Sequence, residues 1–306
     1  MIKKIMIIGI IVSFLTFMPG ILAFTNESPI PSCNTQSGAT LYVGGSGPGN
    51  YTTIQDAIDN ASNGDTVYVY RQEPYYWENV VINKAISLVG DQHRVSLQAY
   101  DQWLPAIRIV HDYVKVDGFR IMYEGPGSLY AFIVKDVSNV NITNCDLYTG
   151  MCTISFNNVS NSSIFHNFFD LIEIYEGGIR LSGGNGNIIQ ENHFDNHFGY
   201  DLVITDNAKN MLIANNNFSF PCDFCGITAI GLPGAGVGNK IIENNFFIPV
   251  QGGTPSYWNK NFYGGRNIRQ NHPVIRLLPK IIPPTKWKNE KINIDWRPAV
   301  KPFDYW

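Results

Sequence analysis

The sequence has little charge and no clustering of it. Only 15% of the 306 residues are Asp, Glu, Lys or Arg, and no tract gathers basic side chains. A phosphate backbone is held by grouped Lys and Arg, so nucleic acid is not an expected partner. Long apolar runs are equally scarce: beyond residue 24 none reaches the ~20 residues that a membrane-spanning helix needs. Cysteine is sparse and odd in number, at Cys33, Cys145, Cys152, Cys222 and Cys225. Cys222/Cys225 and Cys145/Cys152 are the local pairing candidates, which leaves Cys33 over, and spacing alone does not set the connectivity.

The one long apolar run stands at the start. Lys3 and Lys4 precede Ile5 to Phe17, and Pro19, Gly20 and Ala23 follow. This order is that of a secretory signal over residues 1–24, with cleavage after Ala23. Uncleaved, the same segment would be an anchor, and membrane contact would run through it alone. Both readings place the rest of the chain outside the cell or on its surface. Without Lys3 and Lys4, 20 basic residues face 25 acidic ones, a net charge of about −5. Export permits disulfides. It also permits glycosylation of the N-x-S/T triplets that open at Asn26, Asn50, Asn60, Asn141, Asn158, Asn161 and Asn217.

A repeat sets the architecture. "NITNCDL", "SIFHNFF", "NIIQENHF", "MLIANNNF" and "KIIENNFF" share an Ile, then Asn three residues on and a large apolar residue five on. Cys145 and Leu147 fill those two places in the first copy. The anchors are Ile142, Ile164, Ile189, Ile213 and Ile242, with a looser copy at Val116. The steps are 26, 22, 25, 24 and 29 residues. Each unit also carries a short β-branched run ("TISF", "IRLS", "LVIT", "ITAI") set off by Gly, Asn and Ser, so the unit is built of strands. Such units stack as a solenoid at about 4.8 Å per coil. Cys145, Asn167, Asn192, Asn216 and Asn245 then share one corner. Asn tolerates left-handed backbone there, and its amide can reach the coils on both sides. Leu147, Phe169, Phe194, Phe218 and Phe247 form an apolar ladder. Both series are expected to be structural.

A solenoid must cover its open ends. Ile54, Ala57, Ile58 and Ala61 fall on one helical stripe, Thr52 to Gln55 reads as a capping box, and Gly64 suits a helix end. A helix over 53–62 is therefore expected to lie across the first coil. Residues 25–38 read as a linker, 39–250 as the solenoid, and 251–306 as a second cap. That tail is rich in aromatics, and its Pro residues break regular elements.

"LYVGGSGPGNYTTIQDAIDNASNGDTVYVY" and "YYWENVVINKAISLVGD" resemble the opening of pectin-lyase-like right-handed parallel β-helices. More narrowly, they resemble NosD-like and surface β-helix proteins of archaea, especially methanogens. "YWNKNFYGG", "LLPKIIP" and "IDWRPAVKPFDYW" are similar to the tails that close such proteins. The resemblance implies an all-β, single-stranded right-handed parallel β-helix with an amino-terminal helix cap and an irregular carboxy-terminal cap. It does not choose among the functions that the fold hosts. The motif sets of pectin methylesterases and polygalacturonases are missing.

The polar residues left unexplained lie after the Phe ladder. Asp170 and Asp195 hold equal offsets in adjacent units, about one rung apart. Glu173 lies near them, and Tyr175, Glu176, Arg180, His193, His197, Tyr200 and Asp201 complete a candidate binding face. A carboxylate pair so spaced can act on a glycosidic bond, with Glu173 as the third catalytic candidate. Its oxygens would suit Ca²⁺. The NosD-like resemblance brings copper, for which His193, His197, Cys222 and Cys225 are the candidate ligands. His193 and His197, four apart outside a helix, do not share a side, and no metal or cofactor is expected. The bland alternative is a solvated solenoid turn. The expected role is an exported module that binds or organises polysaccharide without turning it over. The rival readings are a polysaccharide lyase or glycoside hydrolase at Asp170/Asp195, a structural envelope protein contacting other envelope proteins, and a copper-maturation factor.

Overall fold

The computed structural model describes residues 38–92, 94–122, 130–149, 152–171, 177–196, 200–219, 228–247, 250, 256–263, 280–282, 293–295, 298–299 and 301–303. The leader over 1–24, Cys33, Cys222 and Cys225 lie outside them.

Short strands rich in Ile, Val and Phe alternate with polar corners, and each of the seven coils from Thr66 to Gly231 contributes one strand to each of three sheets. Among the described residues the sheets have twelve, nine and seven strands, and the pairs between successive coils are parallel. Side chains alternate in and out along each strand, so every sheet sends one row inward. The twelve-stranded Ile sheet stacks Val116, Ile142, Ile164, Ile189, Ile213 and Ile241. The nine-stranded Phe sheet stacks Tyr76, Leu97, Ile121, Leu147, Phe169, Phe194, Phe218, Phe246 and Tyr263. The third sheet stacks Val80, Ile107, Phe132, Ile154, Ile179, Leu202 and Ile230. These rows meet in one continuous core.

The Ile and Phe ladders form as the repeat implies, with one slip. Ile213 pairs with Ile241 and Phe218 with Phe246, not with Ile242 and Phe247. The polar ladder likewise continues from Asn216 to Asn244, not Asn245. "KIIENNFF" doubles each marker residue, so its spacing fits two registers. Only the pairing with the previous coil chooses between them.

The ladder Asn residues are fully buried and do bond to both neighbouring coils. Asn192 Oδ1 accepts from the Asn167 backbone N–H and from Asn167 Nδ2, at 3.0 Å each. Asn192 Nδ2 donates to the carbonyls of Ile164 and Gln190. The left-handed residue is the one before: Asn144, His166, Glu191, Asn215, Glu243 and Lys260 have φ near +55°. The chain therefore turns one residue before the ladder Asn, which leaves the Asn amide directed inward. A second buried ladder, without a repeated sequence marker, runs at another corner. Ser162 Oγ accepts from Val140 N–H, Asn187 Oδ1 from Ser162 N–H, and Asn239 Oδ1 from Met211 N–H.

At the amino-terminal end a helix spans Ile54–Asn60. Ile54, Ala57 and Ile58 are buried against the strands Thr40–Val43, Thr66–Val69 and Val80–Ile82, which places the helix over the first coil. Its cap is not the expected box from Thr52 to Gln55. Thr53 Oγ1 accepts from Asp56 N–H, and the Glu78 carboxylate accepts from the N–H groups of Ile54 and Gln55 at 3.0 and 3.1 Å. Lys84 Nζ closes the other end on the carbonyls of Ile58, Asp59 and Ala61. A Glu78→Ala variant frees two donors at the positive end of the helix dipole. It is expected to lose ~1–2 kcal/mol in urea unfolding; an unchanged midpoint contradicts the capping role.

Among the described residues of the tail, two short strands continue the Ile sheet past Trp258. The strands Lys280–Ile282 and Asn293–Asp295 pair antiparallel, and Asp295 pairs with Trp258. Asp295, fully buried, ends the Asn ladder: its Oδ2 accepts from Asn261 N–H, from Asn261 Nδ2 and from the Tyr263 hydroxyl. Burial and that carboxylate hold the Tyr263 phenol well above its ordinary pKa.

Cys145 and Cys152 are not joined, contrary to the local pairing considered above. Cys145 sits at the ladder corner with its N–H on Asn167 Oδ1, whereas Cys152 lies on a strand of the third sheet. Burial pushes the Cys145 thiol up to about 12. Thiolate is the reactive form, so Cys145 is expected to resist alkylation at pH 8 in the native protein and to react once unfolded. Peptide mapping checks this; native labelling of Cys145 contradicts the burial.

Candidate functional site

The Phe sheet's inward row leaves its neighbours facing out. On the strand Phe168–Leu171, Phe169 points inward, so Phe168 and Asp170 face outward. On the strand His193–Asn196, His193 and Asp195 flank the buried Phe194 in the same way. Phe168 pairs with His193, and Asp170 with Asp195. The two carboxylates are thus in register one rung apart, as their spacing implies. The Phe168 and His193 rings stack beside them with centroids 5.3 Å apart. Tyr148 precedes Asp170 in the same row.

His193 is held by two partners. Its Nδ1 lies 3.2 Å from Asn217 Nδ2, and its Nε2 lies 2.9 Å from Ser219 Oγ. The Ser219 hydroxyl donates to the Phe194 carbonyl, so Ser219 Oγ accepts from His193 Nε2–H while Nδ1 accepts from Asn217. That network assigns the neutral Nε2–H tautomer. Partial burial lowers the pKa of His193, with Asp195 opposing.

One turn away, Asp146 ion-pairs with Arg94 and, at 3.3 Å, with Arg120. Arg120 also lies 6.0 Å above the Tyr148 ring. The sequence reading missed this group, because Arg94 and Arg120 come from two earlier coils. Their shared signal is register alone: Arg120 and Asp146 are paired residues.

The other candidates separate. Arg180, Tyr200 and Asp201 belong to the strands Gly177–Ser182 and Tyr200–Thr205 of the third sheet, not to the Asp170/Asp195 face. Arg180 acts on Asp206 there, helping to hold that carboxyl below its ordinary pKa behind the Ser182 and Thr205 hydrogen bonds. Asp201 is fully buried. The chain leaves the Phe sheet before reaching these residues, so closeness in sequence does not become a shared face. Glu173, Tyr175, Glu176 and His197 lie outside the described residues. Among the described residues no group of three or more His, Cys, Asp or Glu could hold a metal ion. Of the glycosylation triplets, Asn60, Asn158 and Asn161 are exposed, while Asn217 is partly buried against His193.

The parallel three-sheet stack agrees with a family model. The model described as "Right handed beta helix region" matches residues 106–265, which is 160 of 306 residues. The chain belongs to the right-handed β-helix family. No curated protein sequence matches it. Among solved structures, it is similar to the alginate lyase from Paenibacillus sp. str. FPU-7, with a TM-score of 0.56 and 13% identity over 74% of this chain and 87% of that one. It is also similar to the pectate lyase Pel9A, with a TM-score of 0.48 and 16% identity over 77% and 72%. At these identities the likeness concerns the fold of this β-helix alone.

Proposed function

We propose that this β-helix is an exported or cell-surface module whose Phe-sheet outer face binds or organises polysaccharide without turning it over. The observation that carries the reading is the outward row in which Tyr148, Asp170 and Asp195 stand in register, beside the stacked Phe168 and His193 rings. Carboxylates accept hydrogen bonds from sugar hydroxyls, and ring faces meet the apolar faces of sugars. Both His193 ring nitrogens are hydrogen-bonded, which fixes the ring beside the carboxylates. The polysaccharide lyases among the structural neighbours suggest the ligand class and nothing about turnover.

The test is a glycan array with the wild type and an Asp170→Asn/Asp195→Asn double variant. The expected result is binding to polysaccharide by the wild type and a loss of about tenfold or more in the variant, as for the loss of charge-assisted hydrogen bonds. Unchanged binding by the folded variant removes the site. Shortened or unsaturated products from acidic polysaccharides would instead establish the lyase or hydrolase reading; a carboxylate pair one rung apart is near the spacing of retaining hydrolases.

A further inference from the structure

The outward row does not begin at Tyr148. Trp77 pairs with Gln98, Met122 with Tyr148, Tyr148 with Asp170, and Asp170 with Asp195. Leu97 pairs with Ile121, which sets Gln98 beside Met122. One straight row therefore runs Trp77, Gln98, Met122, Tyr148, Asp170, Asp195, in which Gln98 is covered and the others are at least partly open. At about 4.8 Å per coil, Trp77 stands about 19 Å from Asp170 along the axis.

The Trp77 end of this row is aromatic and open. Trp77 is 57% exposed, Tyr100 70% and Trp103 72%. Exposure of this kind usually marks a binding surface. The rings are held, not loose. Trp77 Nε1 donates to the Ala99 carbonyl, which fixes the indole. Tyr100 meets Trp77 edge to face at 5.5 Å. The loop that carries Tyr100 and Trp103 is braced by Asn79. Asn79 Nδ2 donates to the carbonyls of Asp101 and Pro105 at 3.0 Å, and its Oδ1 accepts from Asp101 N–H. Asp101 Oδ1 in turn accepts from Trp103 N–H at 2.9 Å. A preorganised loop binds without an ordering cost.

We propose that Trp77, Tyr100 and Trp103 form a stacking platform for the sugar rings of a linear, uncharged glycan that continues along the row to Asp170 and Asp195. This rests on the reading of the Phe-sheet face given above. The row's width is one side chain, which suits a rod of alternating apolar faces and hydroxyl edges. It does not suit a folded partner, which needs about 800 Å² on each side. The row carries two carboxylates and no cation, and the nearby Arg94 and Arg120 are paired with Asp146. Two guanidiniums share one carboxylate there, so together with Asp170 and Asp195 the group carries a net charge of −1, and a polyanionic chain would meet net repulsion.

The test is calorimetric titration with cello- and manno-oligosaccharides, each as the disaccharide and the hexasaccharide, with oligogalacturonate as the charged control. The proteins are the wild type, Trp77→Ala, Trp103→Ala and Asp170→Asn, each checked for native circular dichroism. For a neutral series, the expected result is tighter binding of the hexasaccharide than of the disaccharide. Each Trp variant should lose about three- to tenfold for the hexasaccharide, an aromatic contact's worth, with little change for the disaccharide. Asp170→Asn should weaken both. If Asp170→Asn weakens the hexasaccharide and neither Trp variant does, the platform is overturned and the face reading stands. If no oligosaccharide binds the wild type, both fall. If only oligogalacturonate binds, the uncharged assignment is wrong. Self-association of the wild type that Trp103→Ala abolishes, without an effect on glycan affinity, would assign the patch to a second copy of the chain and overturn the proposal.

Discussion

Asn192→Ala is expected to destabilise the protein by about 3–5 kcal/mol, although Asn192 lies far from either end and is polar. The reason is what the truncation leaves behind. The Asn167 backbone N–H loses its acceptor, Asn167 Nδ2 loses one of its partners, and the carbonyls of Ile164 and Gln190 lose a donor. Asn167 and Asn192 are fully buried, so water does not replace these bonds. Each orphaned buried group costs ~1–3 kcal/mol. Lys240→Ala, an exposed change on the Ile sheet, should stay within ~0.5 kcal/mol. Urea unfolding of both variants measures the contrast. An Asn192→Ala loss as small as that of Lys240→Ala would mean that the ladder adds nothing to stability.

Phe194→Ala is expected to cost ~3–5 kcal/mol, the usual range for a buried aromatic ring replaced by a methyl group. Its ring lies between Phe169, 4.6 Å away by centroid, and Phe218, 4.7 Å away, both nearly parallel to it. The cavity would open in the middle of a stack, where coils held by backbone pairing on both sides collapse poorly. Asp195→Asn, on the adjacent residue, changes an outward side chain and should leave stability within ~0.5 kcal/mol. Thermal unfolding compares the two. Equal effects at positions 194 and 195 would contradict the alternation of the strand.

Much of this architecture can be read from the residues, and the failures have physical causes. The Ile and Phe ladders are legible because each coil repeats the same inward side chains at a nearly constant step. The helix cap is legible in Ile54, Ala57 and Ile58, but its true N-terminal partner, Glu78, lies more than 20 residues downstream and leaves no local signal. The last coil misleads because "KIIENNFF" satisfies the repeat twice. The second ladder is silent because its places, each two residues before the ladder Ile, carry different residue types: Val140, Ser162, Asn187, Met211 and Asn239. At the candidate site, Asp170, Asp195 and His193 come together because they flank the Phe ladder at fixed offsets. Arg180, Tyr200 and Asp201 do not, because a sheet boundary intervenes. Trp77 joins the row only through five successive pairings, which no single stretch of sequence displays.

The binding row exists only if successive coils superpose along one straight axis. Pulsed electron resonance between spin labels on the outer row of the Ile sheet measures this directly. Lys115 and Lys240 are five pairings apart, and Thr40 and Lys240 are eight. At about 4.8 Å per pairing, the labels should sit near 24 Å and 38 Å, with narrow distributions. Two distances that do not differ by about 14 Å, or that spread broadly, would contradict the stack and with it the binding row.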